Sequence, residues 1–295
     1  AISQFVQLQG NAECIFSIVD LHAITVPYKP QELPKSVFDA AVSYLASGID
    51  PEKSILFVQS QIKAHTELAW LLGTLTPTGD LMRMTQYKEK SRQLKDAKAG
   101  LLNYPILMAS DILLYKADSV PVGQDQKQHL ELTRTVARAF NNQFGETFPL
   151  PKIILRQTGS KIMALNNPKK KMSKTMPSGC LYLFDEPEVI KKKVMSAVTD
   201  SGSKVVYDEK RKPGLANLLT IHSLFSGKTI QELENKFKKS GYAKFKKSLS
   251  EQIILSLEPL RRKRKELLSR ELYVKEILEQ GRKRAKVIAQ STMQE

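Results

Sequence analysis

Over residues 1–150, short apolar runs rich in β-branched and aromatic side chains alternate with longer stretches whose apolar residues recur at helical spacing, and this alternation restricts the fold more than any other feature. The run 12–20 (AECIFSIVD) lacks polar alternation, as a strand buried on both faces of a parallel sheet requires. Residues 30–46 then place Leu33, Val37, Ala40, Ala41, Tyr44 and Leu45 at helical spacing, with Gly48 as a stop signal, and 55–59 (ILFVQ) reads as the next strand. Strand, helix, strand at these lengths is a βαβ unit, so the first half is expected to be an open α/β sheet. Further helices are expected over 2–9, 64–75 and 101–115. A short strand over 118–123 ends in glycine ahead of a helix over 125–134.

Ligands of open parallel sheets bind beyond the carboxyl ends of the strands, which directs attention to three places. The first run delivers Asp20 and His22 to such an end. On the helix 101–115, Tyr104, Met108, Asp111 and Tyr115 fall at i, i+4, i+7 and i+11 and so share a face. A desolvated carboxylate there needs a partner: Asp111 is either satisfied by a nearby lysine on an exposed stripe or is an acceptor at the bottom of an apolar ligand pocket. Gly123, at a strand-to-helix turn, lets backbone amides approach an anionic ligand at a helix N-terminus. Trp70, the single tryptophan, is expected in the core or in a subunit contact.

Charge divides the chain unevenly. Residues 1–150 hold 14 Lys and Arg against 15 Asp and Glu, and residues 151–295 hold 32 against 15. Such an excess in one half points to a polyanionic partner, because Lys and Arg that neutralise phosphates release condensed counterions. Beyond residue 175 helices are expected over 188–198, 214–224, 229–238 and 242–257, then a long segment 259–290 holding the clusters 261–265 (RRKRK) and 282–284 (RKR). No run approaches the roughly 18 apolar residues of a membrane span. Cys14 and Cys180 lack the paired spacing of a metal site or a disulfide framework, which points to a reducing compartment.

Between the two halves lies Lys170-Lys171-Met172-Ser173-Lys174-Thr175, read as a basic loop able to meet triphosphate oxygens with point charges and a hydroxyl. Residues 171–175 resemble the KMSKS loop of the class I aminoacyl-tRNA synthetases, with Thr175 in place of the usual final serine. The stretches 17–25 (SIVDLHAIT), 84–91 (MTQYKEKS), 100–115, 120–129 (VPVGQDQKQH) and 193–200 (KVMSAVTD) resemble, in order, the tryptophan-specific members of that class, of bacterial or organellar type.

The resemblance implies a Rossmann-like catalytic domain over 1–165, the loop and linker over 166–180, and an all-helical anticodon-binding domain over 181–295, whose last helix packs back on the catalytic domain. It implies that Asp111 accepts the indole N–H of tryptophan with Met108 on the pocket wall, that Tyr104 and Gln126 contact the α-amino group, and that His22 lies near it. Gly123, Gln124 and Asp125 match an adenosine-binding turn, and Ile162 a residue against which adenine rests. Lys171, Met172, Ser173, Lys174 and Thr175 match the loop that follows the pyrophosphate, with Lys171, Ser173 and Lys174 as the catalytic members. The implied substrates are tryptophan, ATP with Mg²⁺, and tRNA(Trp), without a protein-bound metal. The implied assembly is a homodimer in the cytoplasm, with the mitochondrial matrix as the alternative.

The family's HIGH-like element has no counterpart in these residues. By register it would fall, with the first strand, within roughly twenty residues ahead of Ala1, so the expectation is a chain incomplete at its start. Two other readings stay open at this point: a tyrosine-specific relative, and a tRNA-binding relative without catalysis.

Overall fold

The computed structural model describes residues 2–94, 96–155, 162–173 and 176–295. The chain divides into two compact units, Ala1–Gln157 with Glu266–Glu295, and Thr158–Lys265. The sequence reading had placed the divisions at 165 and 180. Lys174 and Thr175, both assigned to the basic loop, lie outside the described residues.

The first unit opens with helix α1 (Ile2–Leu8), strand β1 (Cys14–Ile18), a single turn α2 (Asp20–Ala23), α3 (Leu33–Ala46) and β2 (Ser54–Val58). Then come α4 (Ala64–Thr74), α5 (Thr78–Arg83), α6 (Thr85–Gln93), α7 (Ala99–Leu113), β3 (Ser119–Val122), α8 (Lys127–Phe144) and β4 (Lys152–Leu155). β1 pairs parallel with β2, and β3 parallel with β4, as the βαβ reading requires. All five residues of β2 are buried, whereas residues 14–17 of β1 are only partly so. The expected enclosure of this strand on both faces is not seen among the described residues, where β1 has a strand neighbour on one side alone.

The second unit starts with the antiparallel pair β5 (Met163–Ala164) and β6 (Asn167–Lys171), followed by α9 (Pro187–Met195), α10 (Pro213–Ser226), α11 (Ile230–Phe237) and most of α12 (Gly241–Ser269). Its core joins Ile190 and Val194 of α9, Leu215, Leu218 and Leu219 of α10, and Phe245, Leu249 and Ile253 of α12. Full burial of each such side chain is worth about 1.5–3 kcal/mol relative to exposure. Thr229 and Glu232 form a reciprocal capping box at the start of α11. Lys246 is buried with Nζ 2.7 Å from the carbonyl of Ala197, and burial lowers its pKa.

Pro259 does not end a helix, contrary to the expected break between 257 and 259. It lies inside α12, where it removes the N–H that would meet the carbonyl of Leu255; next to it Arg261 donates to the carbonyl of Ile254 at 2.8 Å and to Glu258 at 2.7 Å. The chain breaks at Arg270 instead (φ −117°, ψ 52°), and α13 (Glu271–Gln294) follows within the first unit. There Val274, Ile277, Leu278, Ala285 and Ala289 are buried, and Arg284 donates to the carbonyls of Pro51 and Ser54 at the foot of β2. At Gly281 an added Cβ would stand 1.9 Å from the carbonyl oxygen of Leu56, so only glycine admits this helix to the strand.

Trp70 is 76% exposed and not part of the core. α4 turns His65, Leu68 and Leu72 inward at helical spacing, which leaves Trp70 and Leu71 facing outward. Among the described residues no helix is long and apolar enough to cross a membrane.

Candidate active site

The chemistry of the first unit gathers where β1 and β2 end. Asp20 opens α2 and accepts from the backbone N–H groups of Leu21 and Ser60 at 3.1 and 3.0 Å, which ties the two strand ends together. Gln59, the residue after β2, is fully buried; its amide oxygen accepts from the N–H of Leu21 at 3.2 Å. That bond fixes the orientation of the amide. Its Nε2 then donates to both oxygens of Asp111, at 2.7 and 2.8 Å.

Asp111, read from the helical face of α7, receives two further contacts. His65 Nδ1 lies 2.7 Å from Oδ1 and His22 Nε2 2.7 Å from Oδ2. His65 is fully buried; its Nε2 lies 2.9 Å from the hydroxyl of Tyr115, and its carbonyl accepts from Ser110 Oγ at 2.7 Å. Burial alone would push the Asp111 carboxyl up, but the hydrogen bonds and charge of His22 and His65 hold it below the usual carboxylate range. Burial and the Asp111 charge push the Tyr115 phenol up, so it keeps its proton. Ionised Asp111 can only accept, so His65 Nδ1 carries a proton and donates to it, with the Tyr115 hydroxyl as the partner of Nε2. The alternative of a lysine partner for Asp111 does not hold: its partners are two imidazoles and an amide.

Tyr104, one helical turn away from Met108, is buried with its hydroxyl 2.7 Å from His129 Nε2 and 3.3 Å from Gln86 Oε1. Burial raises the Tyr104 phenol to about 12, and burial followed by the charge of Lys90 lowers His129 to about 4, so both are neutral near pH 7. His129 Nδ1 has no partner among the described residues. The ring of His22 stands edge-on to Tyr104 at 6.1 Å, so one imidazole adjoins both Tyr104 and Asp111. Lys90 Nζ lies 5.3 Å from the centre of the Tyr104 ring.

Gly123, Gln124 and Asp125 form the turn into α8, and Gln126 Nε2 donates to Asp125 Oδ2 at 2.9 Å. A Cβ on Gly123 would stand 2.7 Å from Asp125 Oδ1; the glycine therefore lets the carboxylate fold against the turn. The dipole of α8 favours an anion at this turn, although the first N–H of the helix, that of Lys127, is bonded to the carbonyl of Gln124.

In the second unit, Lys170 and Lys171 are not loop residues but the end of β6. Met172 N–H bonds to the carbonyl of Ile162 at 3.0 Å, and both side chains pack on the core. Apolar packing at 162 and 172 turns the basic stretch into a hairpin arm, with Ser173 after it. The structure thus brings together His22, Tyr104 and Asp111 in one unit, Gln126 with Asp125 in the same unit, and Ile162 with Met172 in the other. Reading the sequence missed Gln59, His65, Gln86 and His129. For Gln59 a signal was present: a polar residue closing an otherwise apolar strand at the edge where ligands bind.

The basic clusters also change meaning. Arg261 is held by Ile254, Glu258 and the carbonyl of Asp185, Arg264 lies over the ring of Phe184, and Arg282 is bidentate to Glu279. The exposed members are Arg262, Lys263, Lys265, Lys283 and Arg284, the last bonded to the carbonyls of Pro51 and Ser54.

A sequence model of the family described as tRNA synthetases class I (W and Y) matches residues 1–258. The chain is 50% identical over 297 residues to the tryptophan–tRNA ligase of Caldanaerobacter subterraneus subsp. tengcongensis, covering 100% of this chain and 90% of that protein. To the tryptophan–tRNA ligase of Bacillus subtilis it is 47% identical over 287 residues, covering 97% of this chain and 87% of that protein. In structure it is similar to the tryptophanyl-tRNA synthetase of Campylobacter jejuni complexed with ADP and tryptophan, at a TM-score of 0.89 and 36% identity over 100% of this chain and 91% of that one. A tyrosyl-tRNA synthetase from Archaeoglobus fulgidus, at a TM-score of 0.66 and 18% identity over 89% of this chain and 84% of that one, shares the fold.

Proposed function

The chain belongs to the class I tRNA synthetases for tryptophan and tyrosine and carries the activity of a tryptophan–tRNA ligase of bacterial type, with ATP as co-substrate; from there we propose that Asp111 selects tryptophan by accepting its indole N–H. The observation that carries this is the ionised, largely enclosed carboxylate at the ends of two parallel strands, held by Gln59, His65 and His22. A site built on such a hydrogen bond rejects an analogue lacking the donor by about 10⁴–10⁵. Met108 walls the indole, Tyr104 and Gln126 receive the α-ammonium, and His22 stands beside them. The neutral Tyr104 offers an oxygen lone pair to that ammonium because its proton is directed to Gln86 or His129.

The reaction runs in two steps. A carboxylate oxygen of tryptophan attacks the α-phosphorus of ATP in line, the bond to the bridging oxygen breaks, and pyrophosphate leaves with its electron pair. A ribose hydroxyl at the end of tRNA then attacks the carbonyl carbon of the adenylate, loses its proton, and AMP departs. No side-chain nucleophile takes part, so the chain acts by positioning and by placing charge. Gly123, Gln124 and Asp125 hold the adenosine and Ile162 meets the adenine. Lys171, Met172, Ser173, Lys174 and Thr175 follow the pyrophosphate, Lys171, Ser173 and Lys174 stabilising charge as it develops. Among the described residues no group of three or more His, Cys, Asp or Glu could hold a metal ion. A Mg²⁺ ion would be held mainly by the triphosphate, as that ion commonly is. Bound there, it would neutralise charge on the leaving pyrophosphate.

Arg262, Lys263 and Lys265 are suited to the tRNA backbone, with base identity read elsewhere by stacking and edge contacts. The outward Trp70 and Leu71 support a homodimer. We place the reaction in the cytoplasm. Tryptophan-stimulated exchange of pyrophosphate into ATP is the test: exchange with tryptophan and none with tyrosine is expected, and stimulation by tyrosine alone would overturn the reading of Asp111.

A further inference from the structure

Two donors that hold Asp111 lie deeper than any ligand could reach. Gln59 and His65 are both fully buried, while the side chains of Asp111 and His22 remain 13% and 18% exposed. Each buried donor is braced on its far side. Gln59 is turned by the N–H of Leu21, and His65 is held by Tyr115 at Nε2, by Ser110 at its backbone and by the ring of Phe57, stacked at 5.9 Å. Phe57 also meets Tyr115 edge-on at 5.8 Å, which closes the group from the β2 side.

Each carboxylate oxygen receives two of the four contacts, but the two oxygens differ in which side those contacts come from. Oδ1 receives Gln59 and His65, both enclosed; Oδ2 receives Gln59 and, from the open side, His22. A carboxylate offers about four acceptor positions, so a further N–H reaches Asp111 only by exchanging with His22 at Oδ2. The proton on His65 Nδ1 is fixed as well, because the ionised carboxylate it faces can only accept.

We propose that Tyr115, His65 and Gln59 form a clamp that keeps Asp111 charged and presents Oδ2 to the indole, making His65 and Tyr115 positioning residues that set discrimination for a ring N–H. This deepens the reading of Asp111 as the indole acceptor and rests on it. A charged acceptor forms a hydrogen bond roughly twice as strong as a neutral one. The clamp therefore governs how far tryptophan is preferred over a ligand of the same shape without the donor.

The probe is β-(3-benzothienyl)alanine, in which sulfur replaces the indole N–H. The quantity read is the ratio of its Kd to that of tryptophan, by calorimetry, in wild type, His65→Gln, Tyr115→Phe and Asp111→Asn, with the Kd of ATP as control. The expected result is a fall in that ratio of about tenfold in His65→Gln and a smaller fall in Tyr115→Phe, with ATP binding unchanged. A purely structural role would weaken both amino acids together and leave the ratio unmoved. A ratio within twofold of wild type in folded Tyr115→Phe overturns the clamp, and that variant decides the matter if His65→Gln does not fold. Should the ratio also stay unchanged in Asp111→Asn, it is the assignment of Asp111 that fails, and the clamp with it.

Discussion

Replacing Asp111 by Asn retains the shape of the side chain and removes its charge, and the structure dictates how the new amide must sit. Oδ1 faces two buried donors, Gln59 Nε2 and His65 Nδ1, both at 2.7 Å, so the amide oxygen must take that position. The amide nitrogen then replaces Oδ2. His22 can adapt by presenting the lone pair of its other tautomer to the new N–H, so the fold loses about 1–2 kcal/mol. Tryptophan cannot adapt, because its indole nitrogen is only a donor. It forfeits a hydrogen bond to a charged acceptor, worth about 1.5–3 kcal/mol, and meets a donor where it had an acceptor, for a loss of about 3 kcal/mol in all. The Kd for tryptophan should rise roughly 150-fold, with the Kd for ATP nearly unchanged. Calorimetric titration of the variant reads both, and pyrophosphate exchange at saturating ATP provides a kinetic check. A tryptophan Kd within threefold of wild type, in a variant whose circular dichroism is unaltered, would refute the reasoning.

Two further outcomes concern the scaffold. His129 is neutral in the fold with a pKa lowered to about 4, against about 6.5 unfolded. The unfolded chain therefore binds the extra proton between those values, and stability present above pH 6.5 is lost as pH falls toward 4, by about 3 kcal/mol. Urea midpoints at pH 7, 5.5 and 4.5 should show that decline, and His129→Gln should flatten it. Gly281→Ala drives a methyl group to 1.9 Å from the Leu56 carbonyl on a buried strand. Overpacking of about 1–3 kcal/mol should outweigh the helix propensity gained and lower the melting temperature by about 5 °C; an unchanged transition in a scan would show that α13 does not dock as described.

The parts of this chain that were legible in its sequence are those set by short-range periodicity. Strand-helix-strand order followed from the runs around Ile15, Val42 and Leu56, and the shared face of Tyr104, Met108 and Asp111 followed from helical geometry alone. What failed to show depends on contacts between segments distant in sequence. His65 is separated from Asp111 by 46 residues and meets it only because α4 and α7 pack together. Of the two expectations for Trp70, core or subunit contact, the core one fails because a single aromatic says nothing about which stripe of its helix is turned inward. Pro259 reads as a stop because proline's local cost is visible, whereas the burial of Leu257 on one side of it and Leu267 on the other, which holds α12 together, is not. The clusters at 261–265 and 282–284 read as uniformly available charge, yet arginines in them are occupied by carbonyls, carboxylates and a ring.

The docking of α13 on β2 has a consequence for how the polypeptide is made. Residues 158–265 form one uninterrupted unit, whereas the unit before them is completed by residues 266–295. Residues 158–265 are therefore made between the two pieces of the first unit. The five side chains of β2 meanwhile lack part of their eventual cover. Nascent domains ordinarily mature in the order in which they emerge; here the earlier one must wait for the later one to pass. A chain that stops before α13 therefore leaves β2 without that cover.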